Sequence, residues 1–428
     1  MANDFKAEVF QNEYLPAGVG EVHAIMTVTG GEGTAGNVMT APPSGRLFGI
    51  LCDVSGSMEG GKIVAAKAAM TKLVSMLPED CYFFILTGSD KVRLVSPVGP
   101  ANQDGKQHAQ AAIRTVQAGG ATIISAWLRA ALEQFRAMPN AVKQALLLTD
   151  GQNDKEDVHP LEAALAACEG VFQCDCRGVG TDWEVEQLRR IAGRLLGTTD
   201  IIPSPAEIEG DFRAILEKAL AKTVSDVFLR LWTPQGASVK FCKEVSPEIV
   251  DLTGRARQPK PQIKEYPTGA WGRGESRDFH FCIDVQPGAV GDEVLAGRAS
   301  LVYWQGGAES KVAEARILAV WTDDDAKSTK INRVVAHYTG QAELAQSIQE
   351  GLDARAQGDE DKATALLGKA VKIAHDSGNE ATAKLLRKVV DVEDAEKGTV
   401  RLKGSVAKED AMALETRSTK TARIAKAS

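Results

Sequence analysis

Between residues 44 and 222, short apolar runs alternate with longer stretches of helical spacing, and that alternation leaves few architectures open. Leu47 to Asp53, Tyr82 to Thr87, Val142 to Thr149 and Val171 to Val179 are apolar almost throughout, as strands covered on both faces are. Lys62 to Met76 and Thr122 to Phe135 repeat their apolar residues at helical spacing. Strands and helices in turn predict a doubly wound, mostly parallel α/β sheet. Lys91 to Pro97 is expected as a short edge strand and Pro205 to Lys222 as the last helix.

The chain has 428 residues, too many for a single core. Residues 1–43 hold strand-like patches such as Val22 to Thr29, then a glycine-rich loop and Pro42-Pro43. Residues 223–322 hold five β-like runs between Pro/Gly turns: Phe228 to Trp232, Ser238 to Cys242, Asp278 to Val285, Ala296 to Trp304 and Lys311 to Trp321. No long helix interrupts them, which predicts a β-sandwich. The N-terminal strands have no helices beside them and are expected to join it, so that the 44–222 domain is an insertion. Residues 328–391 are Ala-rich and helical, with turns at Gly358-Asp359 and Ser377-Gly378, and predict a small antiparallel bundle. Residues 392–428 are polar and expected as a flexible tail. From Lys397 to Ser428 eight basic residues face three acidic ones, an excess of +5. Thr416, Ser418, Thr419 and Thr421 stand among them. A solvated tail is the plain expectation; the sharper one is a phosphorylated segment read by a phosphopeptide-binding partner.

Hydrophobic and charged fractions of 44% and 25% are those of a soluble globular protein. A net charge of −7 argues against nucleic-acid binding by bulk electrostatics. No apolar run reaches the roughly 18 residues of a membrane helix, and Met1 to Phe10 does not read as a secretory signal. Seven cysteines, four of them (Cys52, Cys81, Cys242, Cys282) in strand-like runs, suggest reduced, buried thiols and a cytoplasmic setting. Cys174-x-Cys176, with Cys168 nearby, lacks the spacing of a zinc site. The six histidines are scattered, none paired at a metal or catalytic spacing. There is no G-x-S-x-G elbow and no P-loop, and Gly60-Gly61-Lys62 has the wrong spacing for one.

The chemistry-bearing pattern follows the first strand of the α/β region. Phe48 to Cys52 runs directly into Asp53-Val54-Ser55-Gly56-Ser57-Met58. In doubly wound sheets ligands bind just beyond the carboxyl ends of the strands. Alternate residues of an extended turn share a side, so Asp53, Ser55 and Ser57 are aimed at one point. Leu146 to Thr149 is another strand, ending in Asp150-Gly151, and Gly119-Gly120-Ala121-Thr122 is a loop leading into a helix. One carboxylate and two hydroxyls, with a second carboxylate and a third hydroxyl from these segments, form a hard-oxygen set suited to Mg²⁺. The competing reading is that Asp53 and its serines only cap the next helix.

Asp53-x-Ser55-x-Ser57, the loop ending in Thr122 and the strand-end Asp150 resemble the metal-ion-dependent adhesion site of von Willebrand factor A domains, in order and separation, over roughly residues 44–222. The resemblance implies that Ser55 and Ser57 bind the metal directly, that Thr122, Asp53 and Asp150 bind it directly or through water, and that the sixth place is left for an acidic group of a partner. Ala121, between the glycine pair and Thr122, is a departure; Thr115 and Thr149 are the other threonine candidates. The implied metal is Mg²⁺, with Mn²⁺ or Ca²⁺ as alternatives. The expected function is a metal-dependent adaptor or scaffold, not an enzyme, that docks an Asp or Glu of a protein partner. The arrangement is similar to bacterial cytoplasmic A-domain proteins of the tellurite-resistance and stress-response groups, and phospho-signalling is their context. Two rivals remain: an accessory subunit of a remodelling or metal-inserting AAA+ ATPase, and a metal-dependent hydrolase or phosphatase. The latter needs a base or nucleophile that the sequence does not name.

Overall fold

Alternating burial along the N-terminal strands sets the first layer. A computed structural model describes residues 5–31, 45–305 and 308–423; most of the glycine-rich stretch from Gly30 to Gly36, and Pro42-Pro43, lie outside them. The chain divides into two compact units: Ala35–Ser225 with Gly269–Gly272, and Met1–Thr34 with Asp226–Thr268 and Arg273–Ser428. In the latter unit, β1 (Lys6–Gln11), β2 (Tyr14–Pro16) and β3 (Glu21–Thr29) open the chain. Along β3, Val22, Ala24, Met26 and Val28 are buried while Glu21, His23, Thr27 and Thr29 are less so, which is the period-2 signature of a strand with one face on a core.

The other unit is the α/β domain. Its strands are β4 (Arg46–Asp53), β5 (Cys81–Gly88), β6 (Val92–Pro100), β7 (Val142–Thr149), β8 (Gln173–Val179) and β9 (Thr199–Ile202). They form one sheet in the order β6-β5-β4-β7-β8-β9, parallel except for the edge strand β6. The helices are α1 (Gly61–Met76), α2 (Gln103–Arg114), α3 (Ile124–Arg136), α4 (Val158–Cys168), α5 (Val185–Arg194) and α6 (Ile208–Ala221). Phe48, Ile50 and Cys52 of β4 pack with α1, α2 and α6 through Leu73, Ile113 and Phe212. The other side of β4 faces α3. A Cβ on Gly49 would come 2.4 Å from the Phe84 ring and 2.9 Å from Phe135, so only glycine lets the helix approach. With helices on both faces, β4 is buried along nearly its whole length, which is why it reads as an unbroken apolar run.

Two further sheets follow from β10 (Lys222–Trp232), β11 (Ser238–Ser246), β12 (Val250–Asp251), β13 (Arg257–Lys260), β14 (Ile263–Gly272), β15 (Ser276–Asp284), β16 (Glu293–Gln305) and β17 (Ala308–Thr322). Their orders are β1-β3-β15-β11-β12 and β13-β14-β10-β16-β17-β2. The N-terminal strands therefore pair into both sheets. Next come the short α7 (Asp325–Ser328), then α8 (Arg333–Ala356), α9 (Glu360–Asp376) and α10 (Glu380–Val389). Gly358 and Gly378, both at positive φ, end α8 and α9; Asp359 and Asn379 then accept the Lys362 and Thr382 N–H groups to start the next helix. Among the described residues no helix is long and apolar enough to cross a membrane.

The segment expected as a flexible tail is structured as far as Arg423. It forms a hairpin, β18 (Val390–Asp394) with β19 (Thr399–Leu402), and α11 (Lys408–Arg417). Val390, Val400 and Leu414 complete the helical core with Leu344, Ile348, Leu367 and Leu386. Beyond α11 the chain docks on the sandwich: Ile249 N donates to Thr419 O (2.8 Å), Thr421 Oγ1 to Val245 O (2.7 Å), and Arg423 pairs with buried Asp278 (3.1 Å). Polar composition misled because a few apolar residues suffice to finish a core built mostly by α8 to α10. This packing also bears on the phosphopeptide reading of Thr416 to Thr421: Thr421 is half-buried, its hydroxyl donated to Val245 O. Thr416 is 1% exposed and Ser418 and Thr419 are buried, so none is presented to a kinase or reader. Leu414→Ala, neutral in a solvated tail, is expected to cost about 2–5 kcal/mol here, seen as a lowered midpoint of urea unfolding.

Candidate metal centre

The sheet reverses its winding at β4: β5 lies on one side, β7 on the other, and the carboxyl ends of β4 and β7 open beside each other. β4 delivers Asp53, and β7 delivers Thr149 followed by Asp150 and Gly151. After Asp53 the chain makes a short 3-10 turn at Gly56–Met58, and α1 begins only after Gly60. Neither the turn nor α1 takes a side-chain cap from the serines. Capping therefore does not explain them.

Their hydroxyls instead converge. Ser55 Oγ and Ser57 Oγ lie 3.0 Å apart, and Ser57 Oγ donates to Asp150 Oδ1 at 2.7 Å. Asp53 Oδ1 accepts the Ser55 N–H at 2.7 Å, and Asp53 Oδ2 accepts the Thr149 hydroxyl. A Cβ placed on Gly151 would sit 3.2 Å from Ser57 Oγ and 3.5 Å from Thr122 Oγ1, so the loop threonine reaches the same spot. The structure thus gathers Asp53, Ser55, Ser57, Thr122 and Asp150 at one place. Thr115 is bound up at the end of α2, donating to Ala112 O and accepting from Arg93, and Thr149 is engaged with Asp53.

Backbone bonds hold the loops together. Gly56 N donates to Gly120 O (3.0 Å) and Gly119 N to Val54 O (2.6 Å). Gly120 adopts φ +92°, and a Cβ there would stand 2.0 Å from an Asp90 carboxylate oxygen, so the position demands glycine. Asp154 N donates to Thr122 O (2.9 Å), Asn153 Oδ1 accepts the Ile124 N–H (2.9 Å), and Asp157 accepts the Ser125 N–H (2.9 Å) and the Asn153 amide (3.0 Å). Asp157 thus positions the start of α3, while His159, two residues on, is exposed.

Asp53 and Asp150 are both fully buried. Burial pushes the Asp53 carboxyl up from its ordinary value, against the hydrogen bonds from Ser55 and Thr149, and the Asp150 charge adds to the push. A residue that sequence reasoning passed over balances part of this charge. Lys62, on the first turn of α1, puts its ammonium 2.5 Å from Asp150 Oδ2 and 4.0 Å from Asp182.

All donors are oxygens, two of them anionic and shielded from water. An octahedral ion with bonds of ~2.1 Å needs neighbouring ligand oxygens about 3.0 Å apart, and the two serine hydroxyls stand at 3.0 Å. The residues fit a small divalent cation. Cys174 and Cys176, by contrast, are buried thiols in β8.

A doubly wound sheet of this strand order, with helices on both faces, is the fold of an A-type domain. Residues 49–201 match the von Willebrand factor type A domain model, and residues 372–418 match the model of its C-terminal domain. A solved von Willebrand factor type A protein from Catenulispora acidiphila is 44% identical, with a TM-score of 0.92 over 99% of this chain and 98% of that one. The chain belongs to the von Willebrand factor type A family. An ArnB paralog, VWA2 from Sulfolobus acidocaldarius, shares the fold at a TM-score of 0.62 and 14% identity over 97% and 98% of the two chains. An uncharacterized protein of Synechocystis is 28% identical over 211 residues, 48% of this chain; the chain spans about half the length (49%) of that curated relative. Proteins with such domains are commonly protein-interaction modules, and the domains often bind a divalent metal.

The positioning role of Asp157 has a direct test. Asp157→Ala orphans two buried donors, at about 1–3 kcal/mol each, and is expected to lower the urea midpoint; Asp157→Asn, which keeps one acceptor, is expected to lose less.

Proposed function

We propose that the protein is a metal-dependent docking module. Asp53, Ser55, Ser57, Thr122 and Asp150 hold a divalent cation, and a carboxylate from an Asp or Glu of a protein partner completes its shell. The observation that carries this reading is that Ser57 Oγ lies 3.0 Å from Ser55 Oγ and 2.7 Å from Asp150 Oδ1 at a buried strand end. The 3.0 Å spacing suits Mg²⁺ or Mn²⁺ better than Ca²⁺, whose bonds of 2.3–2.6 Å ask for wider edges. When bound, the cation supplies an electrophilic corner that neutral hydroxyls leave undercompensated and a partner carboxylate can fill.

The chain's own residues do the rest. Ser55 N–H and the Thr149 hydroxyl orient Asp53, while Gly119 and Gly120 bring the Thr122 loop against the serine turn. Lys62 holds Asp150 until a divalent ion takes over that charge; Asp182 offers the displaced ammonium another carboxylate. Asn153, Asp157 and Thr149 are spent on backbone and carboxylate hydrogen bonds, an arrangement for holding loops still and not for moving protons. This supports binding over turnover.

Calorimetric titration of Mg²⁺ into chelator-treated protein is expected to show a site that Asp53→Ala/Asp150→Ala abolishes. Affinity capture with the wild type should recover partners that EDTA or the double variant releases. Recovery of the same partners from both proteins in all conditions would remove the docking reading.

Lys62→Met separates the ammonium from the ion it competes with. The variant is expected to bind Mg²⁺ about tenfold tighter or more, and to melt lower than wild type in EDTA because Asp150 loses its counter-charge. Unchanged Mg²⁺ affinity would show that Lys62 does not compete.

A further inference from the structure

The sandwich carries a second convergence of metal-binding side chains, chemically unlike the first. β3 and β15 pair antiparallel, with His23 opposite Cys282, Glu21 opposite Asp284 and Ile25 opposite His280. Alternate residues share a face, so Glu21, His23, His280, Cys282 and Asp284 all stand on the side of the sheet away from buried Val22, Ala24, Phe281 and Ile283. One donor atom from each of Glu21, His23 and Cys282 lies within 4.8 Å of the others.

The geometry prepares each donor. His23 presents Nε2 to Glu21 Oε2 at 3.9 Å. Its other nitrogen, Nδ1, is 3.1 Å from His280 Nε2. His280 is 6% exposed and His23 half-buried, so this contact is shielded on the His280 side. Donation of the Nδ1 proton to His280 leaves the Nε2 lone pair pointing at Glu21, the way a metal-bound imidazole is commonly fixed by a partner on its far nitrogen. Phe241 closes the side, its ring 5.0 Å from His280 and 5.8 Å from His23 between centroids. The Cys282 thiol is fully buried and, among the described residues, makes no hydrogen bond. Lys240 holds the other Glu21 oxygen at 2.5 Å and fixes the carboxylate at the rim.

We propose that Glu21, His23 and Cys282 form a binding site for a borderline divalent transition ion of the Zn²⁺ class, with His280 as the positioning residue of His23 and a fourth place open to water at the Glu21 edge. Nitrogen, sulfur and oxygen together are the ligand chemistry of such ions, and three protein ligands with an open corner is a familiar zinc geometry. Tetrahedral bonds of about 2.0–2.3 Å require ligand atoms about 3.3–3.8 Å apart; the His23–Glu21 pair, at 3.9 Å, is nearly there, and donors within 4.8 Å of one another close by at most about 1.5 Å. Binding takes the Cys282 proton to solvent, leaving thiolate as the ligand. This site shares no residue with the Asp53 centre and does not depend on it.

The test uses full-length, chelator-treated protein carrying Asp53→Ala/Asp150→Ala, which removes the other centre. Titration with Co²⁺ is expected to raise a thiolate-to-cobalt charge-transfer band saturating at about one ion per chain, and Zn²⁺ to bleach it. Cys282→Ser should abolish the band. Glu21→Gln, a half-exposed change that leaves the fold intact by circular dichroism, should weaken Co²⁺ binding at least about tenfold. His280→Phe should keep the band and weaken binding about 10–100-fold. Absence of a thiolate band, its persistence in Cys282→Ser, or undiminished affinity in Glu21→Gln would overturn the site; undiminished affinity in His280→Phe would overturn the positioning role.

Discussion

Two carboxylates, Asp53 and Asp150, are kept out of water at adjoining strand ends, and the local structure is organised around making that tenable. A buried carboxylate without partners costs several kcal/mol, and a like charge beside it adds to the cost. Asp53 is answered by the Ser55 N–H and the Thr149 hydroxyl, Asp150 by Ser57 and the Lys62 ammonium. The surrounding features follow from this. β4 and β7 must be central for their ends to meet, glycine must stand at 119 and 120 for the loops to touch, and Asn153 and Asp157 must satisfy the start of α3. One ammonium for two carboxylates leaves a local excess of negative charge, and that excess is the physical basis for proposing a divalent ion there.

The five oxygen-bearing residues could be read from sequence because each announces itself locally. Asp53, Ser55 and Ser57 follow a strand recognisable by its unbroken apolar run; Asp150 ends another; Thr122 follows a glycine pair where the backbone must bend. Strand and helix bounds of the α/β unit fell close to expectation for the same reason, since burial on both faces writes itself into every position. Lys62 and Asp157 were not legible as site residues. A lysine in the first turn of a helix is ordinary, and only the approach of α1 to the β7 end turns it into the partner of Asp150. Asp157 lies beyond Asp150 in a polar loop, and its acceptor role depends on where α3 begins.

Elsewhere local sequence and tertiary structure part company for physical reasons. β14 escaped notice because Lys264, Glu265 and Pro267 break its alternation, yet Glu265 is buried by pairing with Arg230 and Arg257, which lets a charged residue occupy a strand interior. β9 is four residues long, too short for periodicity to register. The C-terminal segment looked solvated because its charges outnumber its large apolar residues. Val390, Val400 and Leu414 are nonetheless spaced so that a hairpin and a helix set all of them into one existing core.

The sandwich cluster marks the limit of linear reading most sharply. His23 and His280 stand 257 positions apart, and no spacing rule could join them. What joins them is register. Val22, Ala24 and Met26 on β3, with Phe279, Phe281 and Ile283 on β15, face the interior, and that core fixes which residues oppose one another. A slip of one residue would turn a strand's whole set to the other face, placing either His23 and Glu21 or Cys282 and His280 in the apolar interior. The hydrophobic pattern thus pins a polar constellation it never touches. It also separates two donor chemistries along one chain: carboxylate and hydroxyl oxygens at the β4 and β7 ends, imidazole and thiol on the β3 and β15 face. Hard ions such as Mg²⁺ favour the first set and borderline ions such as Zn²⁺ the second, so ligand type biases each proposed ion toward its own place.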